Sequence, residues 1–316
     1  MEAPERTPDP VAGLAERERL APANGIEIAY DEIGDRDGEP LLLVMGLATQ
    51  LIHWDERFCR MLAERGYRVI RFDNRDIGHS TKVRSPSPGT IAMMLGFGRP
   101  AYRLSDMADD TAGLMDHLGI DTAHLVGVSM GGMIAQTLAI RRPDRVRSLA
   151  SIMSTTGNRR LRMPKLRAFG TLISKPARNR DAYADQVVRT FRIIGSPGFP
   201  TDEEWLHTAA AAAYDRCFYP PGVARQIHAV SCSGDRTRRL RELRVPTVVI
   251  HGDRDPLIRP SAGRATAGAI PGSRLKIIEG MGHDMPPQVW AVIVDEIDSN
   301  ASRAAGRESK AEPVGG

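Results

Sequence analysis

The chain has 316 residues, a formal net charge of +4 and 43 basic residues, of which only Lys82, Lys165, Lys175, Lys276 and Lys310 are lysines. That length holds one large α/β domain with an insertion or two small domains, and no apolar run is long enough to span a bilayer. Cys59, Cys217 and Cys232 are an odd number without metal-ligand spacing, which points to neither a disulfide framework nor a zinc site, and no nucleic-acid motif accompanies the positive charge. The N-terminus carries no apolar signal region, so cytoplasm is the expected compartment.

Residues 1–17 and 302–316 are rich in Pro, Gly and charge and are expected to be mobile. Leu41-Leu42-Leu43-Val44-Met45 reads as a buried strand, followed directly by Gly46-Leu47-Ala48. Between Ser85 and Arg103, the stretch Thr90-Ile91-Ala92-Met93-Met94-Leu95-Gly96-Phe97 is either a buried helical turn or an adaptable apolar entrance to a site. Ala123 to Val128 is a second buried strand, and Met130 to Arg141 sets Met133, Ile134, Thr137, Leu138 and Ile140 at helical spacing. At the corner between them stands Ser129, in Gly127-Val128-Ser129-Met130-Gly131. Small neighbours let the backbone turn sharply there and leave the hydroxyl exposed above the sheet edge.

Strand and helix signals alternate from Leu41 to Ala150 and resume at Val245, the pattern of one doubly wound, mostly parallel sheet. The interruption carries helical patterns, at Ala182 to Ile194 and Ala209 to Tyr214, without a strand. The expected division is therefore an α/β core at 18–153 and 240–301, with a helical cap at 154–239 over the carboxyl edge of the sheet. Basic residues cluster from Arg159 to Arg180, either as a solvated helix face or as a surface attracting anionic substrates or a membrane. Val245 to Gly252 is a β-branched strand ending in Asp253-Arg254-Asp255-Pro256. Leu275 to Ile278 is another, ending in Gly280-Met281-Gly282-His283-Asp284.

A serine hydroxyl is protonated at neutral pH and needs a base, and the base needs an orienting acid. The order Ser129, Asp255, His283 fits this need, and both partners lie beyond carboxyl ends of strands, where open α/β sheets bind ligands. Asp253 is the competing acid. His117 is expected on a solvated helix face, His124 in a structural role, and His53 as a pocket candidate. The backbone N–H groups of Met130 and Leu47 are the expected donors to an oxyanion. Acyl transfer by these groups needs neither metal nor organic cofactor.

The segments Leu42 to Gly46, Val69 to Ser80, Gly127 to Gly132, Pro246 to Gly252 and Gly280 to His283 together resemble the α/β-hydrolase superfamily. Within it, the chain is similar to an actinobacterial esterase and lipase branch that includes anthracycline methyl esterases, over about Leu20 to Ser299. The resemblance implies Ser129 as nucleophile, Asp255 rather than Asp253 as acid, His283 as base, and a small-molecule ester as substrate. It also allows peripheral contact with the cell envelope. Thioester, phospholipid and carbon–carbon bond cleavage use the same three groups, perhydrolase chemistry needs no added cofactor either, and the fold sometimes serves as a small-molecule receptor. A serine nucleophile argues against haloalkane dehalogenase and epoxide hydrolase chemistry. Two departures stand out: Met45-Gly46 replaces the common His-Gly, and Arg75-Asp76 replaces Arg-Gly. Asp73 and Arg75 are expected to form an ion pair pinning this loop.

Overall fold

Central strands that are apolar at successive positions must bury both faces, and the computed structural model, which describes residues 9–161, 164–172 and 175–308, shows how. The strands are β1 (Arg19–Ala23), β2 (Ile26–Ile33), β3 (Glu39–Val44), β4 (Tyr67–Phe72), β5 (Ala123–Val128), β6 (Val146–Ile152), β7 (Thr247–Gly252) and β8 (Arg274–Ile278). They form one sheet in the order β1-β2-β4-β3-β5-β6-β7-β8. β1 and β2 run antiparallel to their neighbours, and every pairing from β4 to β8 is parallel.

Leading up to the insertion are helices α1 (Leu14–Arg17), α2 (Glu56–Ala63), α3 (Thr90–Leu95), α4 (Leu104–His117) and α5 (Met130–Arg141). Between β6 and β7 come α6 (Leu166–Leu172), α7 (Arg180–Ile194), α8 (Glu203–Cys217), α9 (Pro220–Cys232) and α10 (Thr237–Leu240). Last are α11 (Pro260–Ala269) and α12 (Trp290–Glu308). Among the described residues, no helix is long and apolar enough to cross a membrane.

The two-residue period of the strands divides the core cleanly. Leu42 and Val44 of β3 pack with α4, α5 and α11 on one face, and Leu41 and Leu43 pack with α2 and α12 on the other. After β3 the chain moves outward to β4, then returns to place β5 on the opposite side of β3. The carboxyl ends of β3 and β5 therefore flank the topological switch point, where loops diverge and leave a crevice.

The sheet starts earlier than the strand signals from Leu41 suggest. β1 and β2 form a hairpin closed by Asn24 and Gly25, both at positive φ (51° and 78°), the conformation that an Asn-Gly turn supplies. Pro22 and exposed Leu20 mark β1 as an edge strand. The expected mobile ends also overlap ordered elements. Leu14 is buried in α1, and α12 continues to Glu308, whereas residues 1–8 and 309–316 lie outside the described residues.

The expected Asp73–Arg75 ion pair is not formed. Arg75 presents its guanidinium fork to Asp110 of α4, with Nε 2.6 Å from Oδ2 and Nη2 2.5 Å from Oδ1. Asp73 instead accepts from the Leu51 and His79 N–H groups at 2.7 and 2.9 Å and pairs with Arg216 of α8 at 2.7 Å. Bidentate and multiply hydrogen-bonded partners outcompete a neighbour two residues away in the chain. The adjacent departure from the family pattern is explained as well. Asp76 takes the left-handed φ of 71° that a glycine would adopt, and its carboxylate receives two 2.8 Å hydrogen bonds from Arg225 of α9.

Helix α5 can approach β3 only because Gly131 lacks a side chain, since a Cβ there would overlap the Val44 carbonyl oxygen. Gly131→Ala is expected to lower stability by about 1–3 kcal/mol, as overpacking of a rigid backbone contact does. Gly268→Ala in α11, where an added Cβ meets nothing within 4 Å, should raise stability slightly. Chemical denaturation of both variants checks the contrast.

Candidate active site

β5 ends at Val128 and α5 begins at Met130, so the chain must turn within a single residue. Ser129 does this at φ 53° and ψ −116°, a strained conformation for a side-chain-bearing residue. The strain is held from outside: its N–H donates to Ile152 O at 2.9 Å, and its carbonyl accepts from Ser154 Oγ at 2.7 Å. A serine at a helix N-cap usually turns its hydroxyl onto the first N–H groups. Ser129 makes no such cap, and its Oγ lies 3.0 Å from His283 Nε2.

His283 follows β8 and is fixed by its own N–H, which donates to Ile194 O at the end of α7 (2.7 Å). The ring is 8% exposed, and Nδ1 lies 2.7 Å from Asp255 Oδ2. An ionised carboxylate only accepts, so Nδ1 carries the proton and Nε2 turns its lone pair toward Ser129. Asp255 is fully buried, and its Oδ1 accepts from the Leu257 and Ile258 N–H groups at 2.8 and 2.9 Å. Burial alone would raise its pKa. The positive charge His283 takes when protonated, and hydrogen bonds from His251 and His283, outweigh that and hold it well below the usual carboxylate range.

Asp253, the competing acid, instead accepts from Gly280 N at 2.7 Å and sits 3.3 Å from Arg254. It braces the β7–β8 turns and makes no hydrogen bond to His283. His251, at the end of β7, approaches Asp255 directly. Its Nε2 is 2.8 Å from Ile258 O and 3.4 Å from Asp255 Oδ2, while its buried Nδ1 has no partner among the described residues. A histidine at the end of a β-branched strand, four residues before the acid, was the available signal.

Leu47 and Met130 line the same cavity as Ser129 and His283, and neither N–H is taken up by a hydrogen bond among the described residues. The loop carrying Leu47 is tied down next door: Ala48, at φ 62°, donates to Gln226 Oε1 of α9 at 3.1 Å. The cavity encloses about 1000 Å³. Its floor is the carboxyl edge of the sheet. Its walls include Met93 of α3, Phe191 of α7, Trp205 of α8 and Val223 of α9. Met93 is buried and lines the cavity with Leu95, while Ile91 and Phe97 are exposed outside its lining, so the Thr90–Phe97 stretch is a helical turn that gives the cavity part of its apolar wall. The alanines of α8 do not line the cavity. Ala210 and Ala211 pack on Ala184 of α7, and Ala213 on Leu51 and Ile52.

The other histidines divide as their surroundings dictate. His124 is buried between Ser148 and Glu39, and His117 is exposed. His53 does line the cavity, with Nδ1 3.0 Å from the Gln50 N–H.

Residues 39–287 match the family model for the alpha/beta hydrolase fold, and the chain belongs to that family. It is 27% identical to rhodomycin D methylesterase DauP of Streptomyces sp. (strain C5), over 85% of this chain and 92% of that one. The crystal structure of the enol-lactonase from Burkholderia xenovorans LB400 superposes with a TM-score of 0.68 at 24% identity, covering 90% of this chain and 100% of that one. A meta-cleavage product hydrolase of Pseudomonas fluorescens IP01 gives 0.70 at 18% identity, covering 92% and 99%.

Burial pulls the pKa of His53 down to about 4, against a backbone hydrogen bond to Gln50 that raises it, with Arg216 lowering it further. The unfolded chain therefore takes up a proton near pH 6.5 that the folded chain refuses until near pH 4. Stability should fall through that window and level off below it, by up to about 3 kcal/mol from this group. His53→Gln should flatten this part of the profile in urea titrations run at about pH 7 and about pH 4.5.

Proposed function

We propose that the protein is a serine hydrolase that cleaves carboxylic esters through an acyl-enzyme intermediate. The observation that carries this reading is the hydrogen-bonded chain from Ser129 Oγ to His283 Nε2 (3.0 Å) and from His283 Nδ1 to Asp255 (2.7 Å), opening into a cavity. His283 removes the Ser129 proton as the oxygen attacks the ester carbonyl, and Asp255 holds the ring and offsets the imidazolium charge. The negative oxygen of the tetrahedral adduct accepts from the Met130 and Leu47 N–H groups, each worth roughly 3 kcal/mol in such sites. His283 then protonates the departing alcohol. Water, deprotonated by the same ring, attacks the acyl-enzyme, and the acid leaves with Ser129 reprotonated.

Similarity to a rhodomycin D methylesterase supports an ester as the bond cleaved. We read residues 154–239 as a cap on a core of 18–153 and 240–301, because α7, α8 and α9 of this segment furnish cavity walls facing the Ser129 edge. The cap then selects among esters, and its pocket rather than the three reacting side chains sets the substrate.

Ser129→Ala should fold like the parent, lose all labelling by a fluorophosphonate, and show no burst of alcohol release from a p-nitrophenyl ester. A burst of undiminished size in that variant would remove Ser129 from the role. Asp255→Asn should lower kcat about 10⁴-fold by analogy with other Ser-His-Asp sites, while Asp253→Asn lowers it far less. The opposite ranking in steady-state kinetics would transfer the acid's role to Asp253.

A further inference from the structure

The cavity holds a charge that the proposed reaction does not use. Arg236 stands where the chain leaves α9 for α10, lines the cavity, and is only 7% exposed. Its Nη2 donates to Thr155 O at 2.9 Å and its Nε to Gln136 Oε1 at 3.3 Å, both neutral acceptors. Its Nη1 donates to nothing among the described residues. Gly157, another cavity-lining residue, lies beside it: a Cβ there would come 3.4 Å from Nη1.

Other buried arginines in this fold are compensated: Arg71 by Asp31, Arg75 by Asp110, Arg216 by Asp73 and Arg225 by Asp76. Arg236 has no carboxylate within 4.0 Å among the described residues. The adjacent Asp235 is turned to Thr237, accepting from its N–H at 2.8 Å. Burial pulls the Arg236 pKa down to about 10, with Asp235 only partly opposing it, so the group remains a cation at neutral pH. The carboxylates on the cavity wall are engaged elsewhere: Asp55 with Arg57, Asp76 with Arg225, Asp202 as the cap of α8, and Asp284 with Ser196.

An unpaired buried cation is costly unless something supplies the opposite charge. Here it faces a mostly apolar cavity that also contains Ser129. We propose that Arg236 forms a carboxylate-binding subsite, so that the natural substrate is an ester that also bears a free carboxylate. This inference rests on the ester-hydrolase reading above. A neutral acceptor would leave the charge uncompensated, and a dianion such as a phosphate monoester would exceed what one guanidinium neutralises. A carboxylate matches both the single charge and the planar donor edge.

The test compares kcat/KM for half-esters of straight-chain diacids with that for the corresponding dimethyl esters, using chain lengths from about four to about eight carbons. A parallel series of acetoxyalkanoates, with matching acetoxyalkanoate methyl esters, carries the carboxylate on the alcohol side instead. At one chain length in one series, the wild-type protein should prefer the anionic ester. Arg236→Gln should collapse that preference about 30-fold or more, and Arg236→Lys should restore part of it. A purely structural role would depress charged and neutral substrates together and leave the ratio unmoved, which overturns the subsite. A wild-type protein with no preference for the anionic member at any length in either series overturns it too. Where the variants fail to fold, the wild-type protein decides the matter: hexanoate should inhibit neutral-ester hydrolysis competitively and hexanamide should not, and equal inhibition rejects the proposal. The two readings fail separately. Absence of fluorophosphonate labelling would sink the ester reading, while calorimetric binding of hexanoate, lost in Arg236→Gln, would still report the subsite.

Discussion

A serine held at φ 53° between β5 and α5 is the constraint to which the rest of the site is fitted. Such a conformation costs of order 1–3 kcal/mol and persists only when its surroundings over-determine it. Here the neighbouring strands do so. β6 accepts the Ser129 N–H through Ile152, and Ser154, just beyond β6, donates to its carbonyl. From the other side, β3 meets α5 through the bare backbone of Gly131. The loop after β3 is thereby drawn beside Ser129. β7 and β8 then deliver Asp255 and His283 from the same edge of the sheet. Parallel strands achieve this because all of their carboxyl ends face one way, so residues far apart in sequence converge without long loops.

The helical insertion is fastened to that edge by polar links that are expensive to break. Arg216 of α8 pairs with Asp73, and Arg225 of α9 pairs with Asp76, all four being almost fully buried. Gln226 joins α9 to Ala48 N and to Arg75 O, and Gln50 donates to Ala213 O and Cys217 O of α8. Lifting α8 and α9 would break both buried ion pairs at once, and removing one partner of such a pair typically costs about 3–5 kcal/mol. These links tie the cavity-facing helices to the sheet edge at several points. The same links run into the loop that carries Leu47, so the position of a proposed oxyanion donor and the position of the cavity wall are set by one network.

What the sequence made legible follows from which forces are local. Apolar strands, helical spacing and the Gly127–Gly131 corner are written in neighbouring residues, and they place Ser129, Asp255 and His283 each just beyond the carboxyl end of a strand. The preference for Asp255 over Asp253 came from the family pattern, since both carboxylates sit in one turn and composition cannot separate them. The hairpin of β1 and β2 is faint in the sequence because an edge strand with a proline carries a weak apolar signal, although Asn24-Gly25 marks the turn. The partners of Asp73, Arg75 and Asp76 were not legible at all. Each ion pair joins residues from different elements, and charge alone does not reveal which of many arginines a buried carboxylate will meet.

That distinction bears on where substrate identity resides. On the proposed mechanism Ser129 Oγ could attack many carbonyl compounds, and an apolar cavity of about 1000 Å³ distinguishes its ligands only by a modest increment per methylene. Discrimination by orders of magnitude arises where a buried polar group goes unsatisfied unless the right ligand is present. Among the described residues the other buried arginines are already paired within the protein, with Asp31, Asp73, Asp76 and Asp110, and Asp255 is held by backbone N–H groups. The groups left over are therefore the informative ones. Leu47, Met130 and Arg236 line one cavity, and the N–H groups of the first two and Nη1 of the third have no partner among the described residues. Free backbone donors beside Ser129 suit the oxyanion that the proposed mechanism develops. A free guanidinium edge further along the wall suits a charge that the substrate brings with it and keeps.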